Sequence, residues 1–490
     1  VRIGKEPETL LRHALSSAAA DSFVSGFADR MPWSGSLADI WQPRSGEFMR
    51  NAIDRMKRGR VAWLGVAVGL FCISPMLAFA APMLNVLHAF CSQKRCADGA
   101  GPAGVVQDSA GNLYGVSYPG GANNSGTIYE IAADGNGQYT QSVLYSFCST
   151  ANCTDGSLPM GNLVIDKKGN LYGITDEGGA NGPGEVFELS HKGNHWKLDV
   201  LYSFCAQKPC TDGSFPVAGL TYAGAASGAP YDGKSPLYGT AGQGGTGAQD
   251  AGVAYELRRG KNGWTEQVIY NFCSQPDCID GMFSDSPLIS DASANLYGTT
   301  RQGGSGGFGT AFELSSTQGA WSEAVLYNFC SAANCSDGAH PAGGLTLNAQ
   351  GTLFGSASDG GIQCADADHG PCGTLFSIQP NGASSQYSTI YTFGVGGRAD
   401  DGANPDVAPV LDKKGNLFGT TEFGGAMRAG VVFELSGSNL RPLYAFCSLK
   451  GCLDGAGPAG AIVDKAGKFF GTTAAGGGND SNGVAYELTP

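Results

Sequence analysis

A short aromatic signature returns seven times along the chain. It reads Leu87-His88-Ala89-Phe90, Leu144-Tyr145-Ser146-Phe147, Leu201-Tyr202-Ser203-Phe204, Ile269-Tyr270-Asn271-Phe272, Leu326-Tyr327-Asn328-Phe329, Ile390-Tyr391-Thr392-Phe393 and Leu443-Tyr444-Ala445-Phe446. Successive phenylalanines lie 57, 57, 68, 57, 64 and 53 residues apart. Such a period means that one supersecondary unit is built again and again, each unit burying its apolar face against its neighbours.

The second unit shows the grammar most cleanly. Runs from Gly161 to Asp166, Leu171 to Thr175, Glu185 to Leu189 and Trp196 to Phe204 are each short, rich in β-branched and aromatic residues, and bounded by Gly, Asp or Asn. That predicts four strands per unit. The first two are joined by Asp166-Lys167-Lys168-Gly169-Asn170, a hairpin loop whose glycine takes the left-handed position; it recurs at Asp108 to Asn112 and Asp412 to Asn416. With 77 glycines and 15% charged residues, the composition favours many turns and few helices.

Four antiparallel strands repeated seven times fit an all-β, seven-bladed propeller; a solenoid is the competing architecture. The ends of the array decide between them. The last unit stops after Val484 to Leu488 and lacks a fourth strand, whereas Leu84 to Phe90 is a fourth strand with no unit before it. The N-terminal strand therefore completes the last blade and closes a ring spanning residues 83–490, with units opening near 87, 144, 201, 269, 326, 390 and 443.

The pattern Asp-Gly-x-x-Pro, apolar run, Gly-Asn-Leu-Tyr-Gly, Gly-Gly, Phe-Glu-Leu resembles the GloVer (Gloeo/Verruco) tandem repeat of exported bacterial proteins, over essentially Leu84 to Pro490. The resemblance implies an exported protein without a defined activity. Gly104 to Asp108 with Gly111 to Tyr114 also resembles the first two strands of an NHL-type blade, which implies that the Gly-x-Val-x-Asp strand lies innermost. On that arrangement the cysteine loops and Gly-Gly loops share one face, and the Asp-x-x-Gly hairpins occupy the other.

Twelve cysteines form pairs at one spacing: Cys91/Cys96, Cys148/Cys153, Cys205/Cys210, Cys273/Cys278, Cys330/Cys335 and Cys447/Cys452. Cys364 and Cys372 flank an insertion, and Cys72 lies upstream of the array. An even count in an exported array reads as local disulfides. A structural metal site would need a second set of ligands near each pair, and none recurs, so no metal or cofactor is expected. The sixth unit replaces the pair with Gly394 to Asp400, which makes the disulfide an accessory to the repeat. Each unit also carries an Asp-Gly step, at Asp98, Asp155, Asp212, Asp280, Asp337, Asp401 and Asp454. These aspartates either cap their own turns or together form an anionic ring at one rim.

Departures from a repeat are the better candidates for function. Gly224 to Ser235 lengthens the first hairpin of the third unit and reads as a small-residue, mobile loop. In the fifth unit, Ile362 to Cys372 enlarges the Gly-Gly loop; a disulfide there would hold Asp366, Asp368 and His369 where His340 and Arg398 could join them as a ligand-binding cluster. A stapled surface loop is the plainer reading. Gly303 to Gly307 fits G-x-S-x-G, and Gly304 to Gly309 fits G-x-G-x-x-G, but both fall between strands, without the helix those chemistries require. No catalytic residue is assigned.

Upstream, Met56-Lys57-Arg58-Gly59-Arg60, the apolar Val61 to Ile73 and Ala78-Phe79-Ala80 form a signal-peptide pattern over 56–80, with cleavage expected before Ala81. An uncleaved anchor is the alternative, and is the one route by which a membrane would be engaged. Residues 1–55 then precede a segment that should be N-terminal, and read as a non-native extension or disorder. Residues 1–81 carry ten Lys/Arg and seven Asp/Glu, so the rest of the chain has a net charge of −16. That balance argues against nucleic acid as a partner. The expectation is a secreted, periplasmic or cell-surface monomer that binds a glycan, a protein or a surface polymer, or serves surface architecture, without catalysis. The rival is a secreted, glycan-directed hydrolase or lyase with its site on the cysteine-loop face.

Overall fold

The computed structural model describes residues 82–363, 372–382, 384–394, 399–464, 466–478 and 482–490. The expected signal segment and the stretch before it lie outside these residues. The described chain forms seven four-stranded antiparallel sheets, a seven-bladed propeller of consecutive meanders. Blade 2 shows the order from axis to rim: Ser157–Ile165, Leu171–Glu177, Glu185–Lys192 and His195–Ser203. Blade 7 takes Ala456–Val463, Phe469–Ala475 and Val484–Thr489 from the C-terminal end and Met83–Ala89 from the start of the array. Met83 pairs with Thr489 and Leu84 with Leu488, so the ring closes as the terminal deficits require.

The signature phenylalanine explains why the period holds. In every unit it immediately follows the outermost strand, is buried, and donates its backbone N–H to a glycine carbonyl of its own blade, such as Gly252 for Phe272. Its ring reaches the next blade. The pairs Phe90–Tyr129, Phe147–Phe187, Phe204–Tyr255, Phe272–Phe312, Phe329–Phe376, Phe393–Phe433 and Phe446–Tyr486 all meet edge to face at 4.9–5.4 Å. Edge-to-face pairs of this kind contribute about 0.5–1.5 kcal/mol beyond area burial.

The Leu-Tyr-Gly glycine follows from the same contact. The receiving aromatic on the third strand lies directly across the sheet from it, as in Gly298↔Phe312 and Gly173↔Phe187, and covers its Cα. A Cβ on Gly298 would stand 2.6 Å from Cζ of Phe312. Glycine is needed here for space and not for its backbone angles.

A third contact joins blades through the backbone. Two residues after each Asp-Gly step the chain turns left-handed, at Gly101, Leu158, Phe215, Phe283, His340, Asn404 and Gly457, with φ between 52° and 60°. Each of these residues donates its N–H to a carbonyl of the preceding blade's Gly-Gly loop, as Phe283 does to Ala251 and His340 to Phe308. Five of the seven are not glycine, so this face carries backbone strain held in place by its neighbours.

The insertion of blade 3 is not the mobile loop that its small residues suggest. Tyr231 inside it is fully buried, packs edge to face on Tyr172 of blade 2 at 5.2 Å, and its carbonyl accepts the N–H of Lys167 at 3.0 Å. One aromatic anchors the segment to the hairpin of the preceding blade, and the surrounding Gly and Ala residues carry no sign of it.

Two substitutions test the inter-blade contact. Phe272→Ala should destabilise the chain by about 3–5 kcal/mol, and Gly298→Ala by about 1–3 kcal/mol through overpacking. Denaturant unfolding of the purified protein measures both. Losses below about 0.5 kcal/mol in either would show that the ring does not depend on this pair.

Candidate functional site

The cysteine-loop face is built on aspartate. In each loop the Asp-Gly carboxylate turns inward and collects hydrogen bonds from the loop that precedes it. Asp155 accepts from Tyr145 Oη at 2.7 Å, from Ser149 N and Oγ at 2.8 and 2.6 Å, and from Thr150 N and Oγ1 at 3.2 and 2.6 Å. Burial alone would raise its pKa, but these donors outweigh it and hold the carboxyl at about 2. The group therefore supports folding above its ordinary pKa of 3.8, and that support is lost as pH falls through 2. The signature tyrosine is the recurring donor, with Tyr202, Tyr270, Tyr327, Tyr391 and Tyr444 serving Asp212, Asp280, Asp337, Asp401 and Asp454. His88 replaces tyrosine in the first loop, its Nε2 lying 3.0 Å from Asp98 Oδ2.

These aspartates are consequently not an anionic ring. All but Asp401 are buried, and each is committed to its own turn. The six expected local disulfides are present at Cys91–Cys96, Cys148–Cys153, Cys205–Cys210, Cys273–Cys278, Cys330–Cys335 and Cys447–Cys452. Blade 6 has no such pair, yet Asp401 still accepts from Tyr391 Oη and Gly394 N. The aspartate is the constant element of the loop and the disulfide the variable one.

The innermost strands begin, and the second strands end, where this face meets the axis. Aligning the units on Asp-Gly shows which blades depart there. Asp285 and Asp406 stand where other blades hold Ala103, Met160, Val217, Ala342 and Ala459. Asp176, Arg301 and Glu422 stand at the end of the second strand, where blades 1, 3, 5 and 7 hold Tyr118, Gly242, Ser358 and Ala474. Asp285 leans over the bare Gly242, where a Cβ would meet its Oδ1 at 3.2 Å.

Burial pushes these carboxyls up: Asp176 to about 6, aided by the charges of Glu177 and Asp285; Asp285 to about 6, opposed by Arg301; and Asp406 to about 6. Burial together with the Asp406 charge carries Glu422 to about 7. Oδ1 of Asp406 and Oδ1 of Asn404 are buried without a hydrogen-bond partner. The mouth is thus a set of carboxyls that exchange protons near neutrality, and the column of the repeat in which Asp285 and Asp406 break the pattern was the signal for it.

Of the residues singled out by sequence, His340 occupies one of the strained left-handed positions. Its Nδ1 is 2.8 Å from Asp359 Oδ2, and its ring lies 5.4 Å from that of Phe308. Asp366, Asp368, His369, Arg398 and Cys364 lie outside the described residues. Cys372 is fully buried and disulfide-bonded, at the foot of the insertion. The Ser305 loop runs between two strands, from Leu296–Thr300 to Thr310–Thr317, which removes both glycine-rich catalytic patterns from consideration. Among the described residues no three His, Cys, Asp or Glu side chains gather as a metal-binding group, and no helix is long and apolar enough to cross a membrane.

The fold and this face define a class, the seven-bladed propeller with aspartate-held, disulfide-closed loops between its blades. Within that class the chain belongs to the Gloeobacter/Verrucomicrobia repeat family, whose model matches residues 76–235, 223–398 and 368–490. Comparison with curated proteins gives no match. Among solved structures it is similar to the extracellular domain of a one-component system from B. thetaiotaomicron, at 13% identity and TM-score 0.46, covering 81% of this chain and 40% of that one. It is also similar to a protein of unknown function from Dyadobacter fermentans, at 8% identity and TM-score 0.40, covering 83% and 98%. A sialidase from Trypanosoma rangeli is similar at 11% identity and TM-score 0.37, covering 81% and 55%. The chain spans about half or less of the length of the first and third of these, and no activity is carried over from any of the three.

The division of labour in the loops is testable in blade 4. Replacing Cys273 and Cys278 by Ala should cost about 2 kcal/mol by the chain-entropy relation for so small a loop. Asp280→Ala should cost more than about 3 kcal/mol, because it strands the N–H groups of Ser274 and Gln275 and the hydroxyl of Tyr270. Chemical denaturation of the two variants gives the order, and the reverse order would make the disulfide the primary constraint.

Proposed function

We propose that the chain is an extracytoplasmic, non-catalytic binding propeller that takes its ligand on the cysteine-loop face. The observation that carries this reading is the placing of exposed apolar side chains. Of eight large exposed apolar residues among those described, Ile279, Phe308, Ile362, Met427, Leu449 and Leu453 all belong to loops of this one face. Apolar surface left in water loses about 25 cal/mol per Å² relative to burial, and its concentration on one face is characteristic of an interaction surface. The six disulfides fit folding in an oxidising compartment outside the cytoplasm. The net charge of −16 beyond residue 81 disfavours nucleic acid. A protein, or a glycan or surface polymer presenting apolar faces, suits the mixture of apolar knobs and carboxyls.

A second reading has its own observation. Asp359 holds Nδ1 of His340, the arrangement that orients an imidazole for proton transfer, and in the two flanking blades burial pushes the mouth carboxyls of Asp285 and Asp406 up to about 6 and that of Glu422 to about 7. That is the equipment of a secreted, glycan-directed hydrolase or lyase.

Glycan and protein arrays probed with the exported protein, with and without calcium, separate the two. Saturable binding that falls at least tenfold in a Phe308→Ser/Met427→Ser/Leu449→Ser variant, with no turnover, is the expected result. Turnover of a bound glycan that is lost in His340→Gln would instead establish the enzyme. Binding untouched by the triple variant would move the site off this face.

A further inference from the structure

Where the fourth strand pairs with the last residue of the Phe-Glu-Leu strand, the seven blades carry Gln141, Leu198, Glu266, Glu323, Tyr387, Leu440 and Leu84 in turn. Two of these show what the position is for. Gln141 donates its Nε2–H to the carbonyl of Asp98 at 3.1 Å, and Tyr387 donates its hydroxyl to the carbonyl of Asp337. In both cases the acceptor is the Asp-Gly aspartate of the loop leading in from the preceding blade, so the side chain ties two blades together.

Glu266 and Glu323 occupy this position in blades 3 and 4, facing Asp212 and Asp280. As carboxylates they would be poorly supplied with donors: Glu266 has only a share of the Tyr202 hydroxyl, and Glu323 faces no donor among the described residues. The hydroxyls of Tyr202 and Tyr270 in the preceding blades already donate to Asp212 Oδ2 at 2.6 Å and Asp280 Oδ2 at 2.8 Å. Oε1 of each glutamate is buried with no hydrogen-bond partner. The other charged or titratable groups facing Glu266 are Asp212, Tyr202 and the buried Tyr255; those facing Glu323 are Asp280 and Tyr270.

We propose that Glu266 and Glu323 are protonated in the folded chain and act as proton-bearing clasps, supplying the donor that Gln141 and Tyr387 supply elsewhere, so that the junctions of blades 2/3 and 3/4 are loosened by deprotonation. Burial first, and the charge of the facing aspartate second, push both carboxyls from 4.5 up to about 8. A folded-state value raised in this way means that the stabilising contribution is complete below 4.5 and is lost as pH rises through 8. The two clasps lie next to each other in the ring, so the three blades they join form an alkali-sensitive sector. The other five junctions carry a neutral amide, a phenol or leucine at this position.

The double variant Glu266→Gln/Glu323→Gln recreates the Gln141 arrangement in both blades. Melting temperature measured from pH 5 to pH 9 should agree with wild type at the acid end and exceed it at the alkaline end. The infrared absorption of protonated carboxyl groups at neutral pH should be reduced in the variant. Glu185, whose buried carboxyl is pushed up to about 9, is present in both proteins and cancels in the comparison. Glu266→Leu/Glu323→Leu, which copies Leu198, should lose the alkaline sensitivity as well. An unchanged protonated-carboxyl band, or an alkaline loss as steep in the glutamine variant as in wild type, would overturn the proposal. So would a glutamine variant that melts lower at pH 5, since the position would then require a carboxylate.

Discussion

The ring depends on one contact made seven times, the edge-to-face meeting of a signature phenylalanine and an aromatic on the next blade. Because it crosses from blade to blade, a single unit gains nothing from it, and only a closed ring satisfies every copy. The contact also dictates its surroundings. The receiving aromatic must lie flat on the sheet, so the residue beneath it must be glycine, which is why Leu-Tyr-Gly accompanies Phe-Glu-Leu in the repeat. Closure by Met83–Ala89 is part of the same logic, since Phe90 immediately after that strand supplies the seventh pair, to Tyr129.

The loop face uses a different economy. The Asp-Gly carboxylates, all buried but Asp401, offset their desolvation with hydrogen-bond donors, among them the tyrosine, or His88 in the first loop, two residues before the signature phenylalanine. The arrangement survives in blade 6 without a disulfide, so the cysteines add stiffness to a turn that aspartate already shapes. It also explains why these aspartates do not add up to an anionic ring: each is turned into the hydrogen bonds of its own loop. The carboxyls that do remain available, Asp176, Asp285, Asp406 and Glu422, are those that break the repeat.

Glutamate at three further points departs from the pattern in the opposite sense, by burying carboxyl oxygens that lack a hydrogen-bond partner. Glu185 is fully buried where the other blades hold Thr127, Val253, Thr310, Thr374, Val431 and Val484, and both its oxygens lack partners. Glu266 and Glu323 are the other two. In each case the low-dielectric surroundings favour the neutral acid, so these blades carry protons in place of charges. A propeller with this distribution is at its most secure on the acid side of neutrality.

The sequence by itself determined the number of blades, their four-strand order, the closure of the ring and the local cysteine pairs, because those follow from period and hydrophobic alternation, which are local and repeated. Only the tertiary structure decided what single residues do between blades. The anchoring of Tyr231 on Tyr172, the burial of the Asp-Gly carboxylates and the facing of Glu266 against Asp212 are contacts between segments tens of residues apart or across a blade junction. A repeat pattern gives no distance for these. The same limit applied to the candidate site: His340 was marked by being a histidine, but its bond to Asp359 arises because two strands end side by side. Asp285 and Asp406 had to be seen at the channel mouth before their break from the repeat acquired a meaning. Periodicity specifies what is common to every blade; departures from it take their chemistry from the neighbours that folding brings to them.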